Sequence, residues 1–301
     1  MISVCTLNPA LNYKMQCEGL RLYEVNQSIE ECMSSDDAGI RLCQIFKELH
    51  SPSILRGFVA GFIGEEIVRH VHQLGLDEAF IRLKEGQSRV NITLSSVKDT
   101  SIVAQGPHIS SDEIKELFDQ FILLKEDDTL ILSGDLPPSL PEDFYQTILS
   151  VVSANHVRCC VDTGNEQLVK VLEYQPFLVK VSEKQLEELF QTRIYTLNEL
   201  IEHANKLKAM GAVNVLVSRG KLGAVFIDEN HQALNCLPNL EEIISLSGCE
   251  DALLGGFLAA YLDTGNYTSA LKIGVAAYQA SANVEGLADH RAIKASYEQF
   301  L

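Results

Sequence analysis

Short apolar runs alternate along this chain with longer segments in which apolar positions recur every three or four residues. The short runs predict strands at residues 2–7, 53–58, 89–94, 129–133, 157–162, 177–181, 214–218 and 223–227. The longer segments predict helices at 38–49, 64–74, 111–124, 141–154, 184–190, 196–210, 251–262 and 267–284. In 38–49, for example, Ile40, Leu42, Cys43, Ile45, Phe46 and Leu49 fall on one face. Regular strand–helix alternation predicts a mostly parallel sheet with helices on both faces. Residues 13–33 and 87–104 carry strand-like runs with no helix after them and are expected to form a small separate sheet. No internal repeat or low-complexity linker interrupts the pattern. In an open sheet of this kind ligands gather at the carboxyl ends of the strands. The turns at 8–12, 57–64, 133–138, 162–165, 180–182, 218–223 and 248–251 would meet there.

Composition narrows the function classes. The 301 residues allow one large α/β domain or two smaller ones, and 46% hydrophobic content excludes disorder. A net charge of −17 without a basic cluster argues against nucleic acid and anionic membrane as partners. It also makes isolated loop cations candidate anion contacts. The eight cysteines (Cys5, Cys17, Cys32, Cys43, Cys159, Cys160, Cys236 and Cys249) form no C-x-x-C pair, so no zinc site is expected. Residues 252–262 are too few to span a bilayer. With structure beginning at residue 2 and no leader ahead of it, a reducing cytoplasm is the expected setting. The histidines are scattered; His70 and His72 do not face one another on a helix, and no carboxylate–histidine pair with metal spacing stands out.

One segment carries candidate chemistry. Ser247-Gly248-Cys249-Glu250-Asp251 opens an apolar helix. A helix start offers free N–H groups and the positive end of the dipole, which suit a phosphate, and a carboxylate beside that phosphate can accept a proton. The same pattern serves as an ordinary helix cap. Cys249 at such a position favours the thiolate, predicting a probe-reactive thiol that nucleotide protects; a packed thiol is the alternative.

Several turns acquire meaning together. Thr6-Leu7-Asn8-Pro9-Ala10-Leu11, Gly57-Phe58-Val59-Ala60-Gly61-Phe62-Ile63-Gly64, Ser88-Arg89-Val90-Asn91, Leu132-Ser133-Gly134-Asp135-Leu136-Pro137, Val217-Ser218-Arg219-Gly220-Lys221-Leu222-Gly223 and 248–251 follow one another in order and spacing. On these motifs the whole chain resembles the ribokinase-like (phosphofructokinase-B) carbohydrate kinases, in the branch of the 1-phosphofructokinases and tagatose-6-phosphate kinases. The resemblance implies a single three-layer α/β/α sandwich with a mostly parallel central sheet and a small β-sheet lid drawn from about 12–33 and 87–104. It implies phosphoryl transfer from ATP, with Mg2+, to a hydroxyl of a phosphorylated ketohexose. Asp251 would be the base, and the N–H groups from Gly248 through Cys249 and Glu250 to Asp251 the anion hole. Ser182, Ser218, Gly220, Gly223 and Tyr278 would line the nucleotide side. Asn12, Asp37, Gly39, Arg41, Arg89, Asn91 and Ser133 would line the substrate side. Lids of this kind often serve as dimer contacts in relatives, so the resemblance admits a homodimer through the lid.

The chain departs from the family pattern at the site itself. Asn12 replaces an aspartate that grips sugar hydroxyls, and Asp36-Asp37-Ala38-Gly39 replaces Gly-Gly-Lys-Gly, adding two carboxylates and removing an ammonium. Arg41 stands where asparagine is usual; its planar fork suits phosphate. Cys249-Glu250 replaces Ala-Gly in the anion-hole turn. Gln185 replaces the glutamate of the magnesium-associated Asn-x-x-Glu, leaving Glu183 as the nearby carboxylate. Tyr278 stands where a small residue commonly faces adenine. Together these departures motivate two alternatives: an impaired relative that binds nucleotide or sugar as a regulatory protein, and a kinase for a non-phosphorylated acceptor.

Overall fold

The computed structural model describes residues 1–134, 136–240 and 243–300, so Asp135 of the fourth motif lies outside the described residues. Strand β1 (Ile2–Thr6) leads into β2 (Ala10–Gln16) and β3 (Glu30–Ser34). Helix α1 (Ala38–Glu48), β4 (Ser53–Ala60) and α2 (Gly61–Gln73) follow, then the short β5 (Asp77–Glu78) and β6 (Ile81–Leu83). After β7 (Arg89–Ser95) and β8 (Thr100–Ile102) the chain alternates through α3 (Ser111–Ile122), β9 (Thr129–Ser133), α4 (Phe144–Ser153), β10 (Arg158–Asp162), α5 (Asn165–Val171), β11 (Leu178–Ser182), α6 (Glu183–Leu189), α7 (Leu197–Met210) and β12 (Asn214–Ser218). The hairpin strands β13 (Ala224–Ile227) and β14 (Ala233–Cys236) precede α8 (Cys249–Thr264), α9 (Tyr267–Ala282) and α10 (His290–Tyr297).

The main sheet runs β14-β13-β12-β11-β10-β9-β1-β4-β5, with β6 also on β4. It is parallel from β12 to β5 and antiparallel only at the β13–β14 edge. Alternate side chains feed two cores, as a sheet covered on both faces requires. Cys5, Leu130, Leu132, Val161 and Val179 pack under α3, α4 and α7, while Val4, Ile131, Cys160, Leu178 and Leu216 pack under α1, α2, α8 and α9. The lid is a separate sheet ordered β3-β2-β7-β8. Its parallel β2–β7 pairing sets Ala10 opposite Arg89 and Asn12 opposite Asn91, which fixes the polar residues of both strands in one register.

The fold class expected from the sequence is observed, with local differences. Helix α2 begins at Gly61, earlier than residue 64, because Ile63 joins the buried face. Helix α4 begins at Phe144 because Pro141 heads a turn rather than the helix. The elements β5, β6, α5, β14 and α10 went unpredicted; each is short, and periodicity over so few residues is weak. Among the described residues no helix is long and apolar enough to cross a membrane.

Helices α8 and α9 are apolar on nearly all sides and bury most of their length, so they pack backbone to backbone. A Cβ on Gly256 would lie 3.0 Å from both the Gly274 Cα and the Ala277 Cβ. Gly256→Ala gains about 0.5–1 kcal/mol of helix propensity but overpacks this contact at about 1–3 kcal/mol. A lowered urea midpoint with unchanged m is the expected outcome; an unchanged or raised midpoint would show that the two helices have slack.

Candidate functional site

The carboxyl ends of β1, β9, β10, β11 and β12 meet the amino ends of α1 and α8. Helix α8 opens at Gly248 in the left-handed conformation (φ 75°), where a Cβ would sit 2.7 Å from the Arg41 Cδ and 3.0 Å from the Leu287 Cδ2. Backbone and space therefore both demand glycine there. Asp251 follows in the first turn, with only 9% of its side chain exposed. Burial pushes its carboxyl up, Arg41 opposes this, and the nearby Asp162 adds to it, leaving a pKa of about 6.

Arg41 reaches across from α1. Its Nε donates to Asp251 Oδ2 at 2.6 Å, and its Nη1 donates to the Asp36 carbonyl. Asp37 caps α1, accepting from Ile40 N at 3.1 Å and from Thr6 Oγ1 at 2.6 Å. Gly39 lies close enough to β1 that a Cβ would meet the Thr6 Cβ at 2.7 Å. Asp36 accepts from Asn12 Nδ2 at 2.6 Å and Ser34 Oγ at 2.9 Å, and Asn12 Oδ1 accepts from Asn91 Nδ2 at 3.0 Å. Lid and α1 are thus tied by an Asn91–Asn12–Asp36 chain. Arg89 enters from β7; its Nε is buried without a partner among the described residues, and its charge lowers the pKa of Asp37, which burial raises.

A second cationic centre lies beside the first. Lys180, on β11, is buried, with its Nζ 2.6 Å from Glu250 Oε2 and 3.4 Å from Asp162 Oδ1. These two carboxylates hold its ammonium protonated well above the usual lysine range, overcoming its burial. Glu250 therefore does not stand as an unbalanced charge beside the turn. The sequence places the turns at 162–165 and 180–182 at this edge but assigns no role to Lys180, Asp162 or the capping partner Thr6, although a lysine inside the apolar Leu178-Val179-Lys180-Val181 run is itself a signal, since a buried charge requires partners.

On the nucleotide side, Ser182 and Gln185 form a reciprocal capping box at α6, and Gln185 Nε2 also donates to the Thr163 carbonyl. Glu183 pairs with Arg219 at 2.7 Å. The Ser133 and Ser218 hydroxyls are buried at strand ends with no hydrogen bond among the described residues. Gly220 and Gly223 shape the turn after β12, both at positive φ.

Three expectations need correction. Cys249 is fully buried, its thiol donating to the Ser245 carbonyl at 3.5 Å, and burial with two neighbouring carboxylates raises its pKa to about 11, so a favoured, reactive thiolate is not what this helix start holds. Tyr278 is 4% exposed and packs in the core with its hydroxyl beneath Gly220, so its ring is not presented to a base. His70 does face a carboxylate, Glu66, at 3.2 Å, as well as the Ser35 hydroxyl.

Residues 43–292 match the sequence model of the pfkB family carbohydrate kinases. A 1-phosphofructokinase of Bacillus subtilis is 32% identical over 95% of this chain and 94% of its own length. A D-tagatose-1-phosphate kinase of Bacillus licheniformis is 29% identical over 96% and 95%. Phosphofructokinase-2 from Escherichia coli, solved in complex with substrates and products, superposes with a TM-score of 0.90, covering 99% of this chain and 98% of that one at 21% identity.

Replacing Lys180 by methionine strands Asp162 beside Glu250, a change of the kind that costs about 3–5 kcal/mol. The Asp162 carboxyl, already raised by burial, then rises further. Because a raised carboxyl favours the folded state only while protonated, the deficit should be smaller at pH 5 than at pH 8. Urea unfolding at both values checks this; a pH-independent deficit would mean the ammonium does not hold Asp162.

Proposed function

This chain belongs to the pfkB family of carbohydrate kinases, and from that premise we propose that it transfers the γ-phosphoryl group of ATP to a hydroxyl of a phosphorylated ketohexose of the fructose or tagatose phosphate type. The observation that carries this reading is Asp251, a buried carboxylate in the first turn of α8 at the carboxyl edge of the sheet. Asp251 takes the proton of the acceptor hydroxyl as its oxygen attacks the γ-phosphorus. The start of α8 faces the oxygens on which charge accumulates, and Lys180 balances the Asp162 and Glu250 carboxylates that would otherwise repel them. Phosphoryl transfer needs mainly this positioning and charge stabilisation. The lid brings Arg89 and Asn91 over the acceptor.

Magnesium fits only as the companion of ATP. Among the described residues no cluster of three or more His, Cys, Asp or Glu is placed to hold a metal ion. Gln185 is spent in a helix cap, Glu183 on Arg219, and Asp162 and Glu250 on Lys180. The Arg41–Asp251 pair and the loss of the glutamate at 185 favour a second reading, a relative that binds nucleotide or sugar without transfer. ATP binding by calorimetry with no acceptor phosphorylated would select it. The phosphorylated substrates and eight free cysteines suit a reducing cytoplasm.

Purified protein with MgATP should release ADP when given fructose 1-phosphate, fructose 6-phosphate or tagatose 6-phosphate, and Asp251→Asn should lower kcat by about 100-fold or more. Since the base works ionised, kcat/KM should climb as pH rises through about 6 and then level. Absence of transfer to all three, or an Asp251→Asn enzyme as fast as wild type, would end the kinase reading.

The lid leaves Leu22, Tyr23, Val25, Ile29, Met33 and Ile102 exposed, a surface suited to a second copy of the chain. Sedimentation should show a dimer that Met33→Glu weakens; a wild-type monomer at micromolar concentration would remove the lid as an interface.

A further inference from the structure

Arg41 stands between the acceptor side of the site and its base. Its Nε occupies Asp251 Oδ2 at 2.6 Å, its Nη1 holds the Asp36 carbonyl, and its Cδ lies directly against Gly248. The guanidinium therefore covers the start of α8 and takes up the carboxylate that an acceptor hydroxyl has to reach. A neutral hydroxyl competes poorly with a charge-assisted bond, whereas a phosphate offers the same planar fork an equivalent partner.

Three observations make Arg41 able to move. It is the more exposed member of the pair, at 23% against 9% for Asp251. The Asp36 and Asp37 carboxylates are already bonded to Asn12 and Ser34, and to Thr6 and Ile40, so release of the guanidinium leaves neither without partners. The unpartnered Arg89 Nε brings a second cation to the same side of the site, where an anion could draw on both.

Resting on the kinase reading above, we propose that Arg41 is a latch opened by the acceptor's own anionic group. With the site empty the guanidinium masks Asp251; a phosphorylated sugar draws it onto the phosphate and frees the base. Arg41 then determines specificity for anionic over neutral acceptors, and it restrains transfer to water or to neutral sugars when no phosphate is present.

The test compares fructose 1-phosphate with fructose in wild type and in Arg41→Asn. The preference for the phosphorylated sugar, as a ratio of kcat/KM, should fall by about tenfold or more in the variant. The loss should appear as a higher KM for fructose 1-phosphate, while the rate on fructose rises because the base is no longer masked. An unchanged ratio, or a parallel fall on both sugars, overturns the latch and leaves Arg41 a positioning residue for Asp251. Wild type alone provides a second measure should the variant not fold. Inorganic phosphite added with fructose should activate phosphorylation of the neutral sugar, and no activation overturns the proposal. If wild type transfers to no acceptor, the kinase reading falls and the latch is judged by calorimetry. Fructose 1-phosphate bound about tenfold or more weaker by Arg41→Asn upholds it, and equal or absent binding by wild type and variant overturns it.

Discussion

Placing opposite charges against one another at a buried sheet edge is the constraint on which this site depends. Asp162, Lys180 and Asp251 are all largely removed from water, and Arg41 and Glu250 lean over them from the rim. An isolated charge in that position would cost several kcal/mol or would be neutralised by a pKa shift. The pairs Arg41–Asp251 and Lys180 with Asp162 and Glu250 avoid both outcomes. They do so with groups that come from α1, β10, β11 and α8, so the charge pattern exists only when the sheet order and both helix starts are in place. The site is in that sense a by-product of correct folding, and its removal is felt by the fold.

The architecture supplies the meeting point. Parallel strands β1, β9, β10, β11 and β12 end on one side, and the crossover connections return the chain so that successive turns gather there. Glycine at 248 lets α8 start against the Arg41 side chain, and glycine at 39 lets α1 start against Thr6. The lid is held to this edge by side chains rather than by the main sheet, through the Asn91–Asn12–Asp36 chain. Polar register within the lid is therefore transmitted to the first turn of α1, and from there to Arg41.

The parallel sheet, its order of elements and the separate lid were legible in the sequence because apolar periodicity reports burial directly. The six turns were legible because glycine, proline and aspartate mark them. What was not legible is pairing across long separations. Arg41 and Asp251 are 210 positions apart, and Lys180 and Glu250 are 70 apart. Read singly, Glu250 is an altered residue of the anion-hole turn, Arg41 a cation suited to phosphate and Cys249 an activated thiol. Each reading lacked the neighbour that decides it: Lys180 for the first, Asp251 for the second, the apolar packing of α8 for the third. Tyr278 failed for a related reason, since helical spacing tells that a face is buried but not which of two buried faces meets a ligand.

The departures from the family pattern also look different once their partners are known. A site losing its function to drift would collect changes independently, and unpaired buried charges would accumulate among them. Here the acids at 36 and 37 are each hydrogen-bonded, and both lie near enough to Arg41 for their charges to act on it. The acid gained at 250 meets a lysine. Gln185, in place of a carboxylate, completes a capping box through its amide oxygen and donates its amide nitrogen to the Thr163 carbonyl. Compensation on this scale is costly to assemble by chance, because each intermediate with one unpaired buried group would be destabilised by about 1–3 kcal/mol or more. The charged residues at 36, 37, 41 and 250 are therefore each partnered around the site rather than left as separate unpaired charges, and on the proposed reading a buried carboxylate beside a movable guanidinium is what exchanges one anion for another.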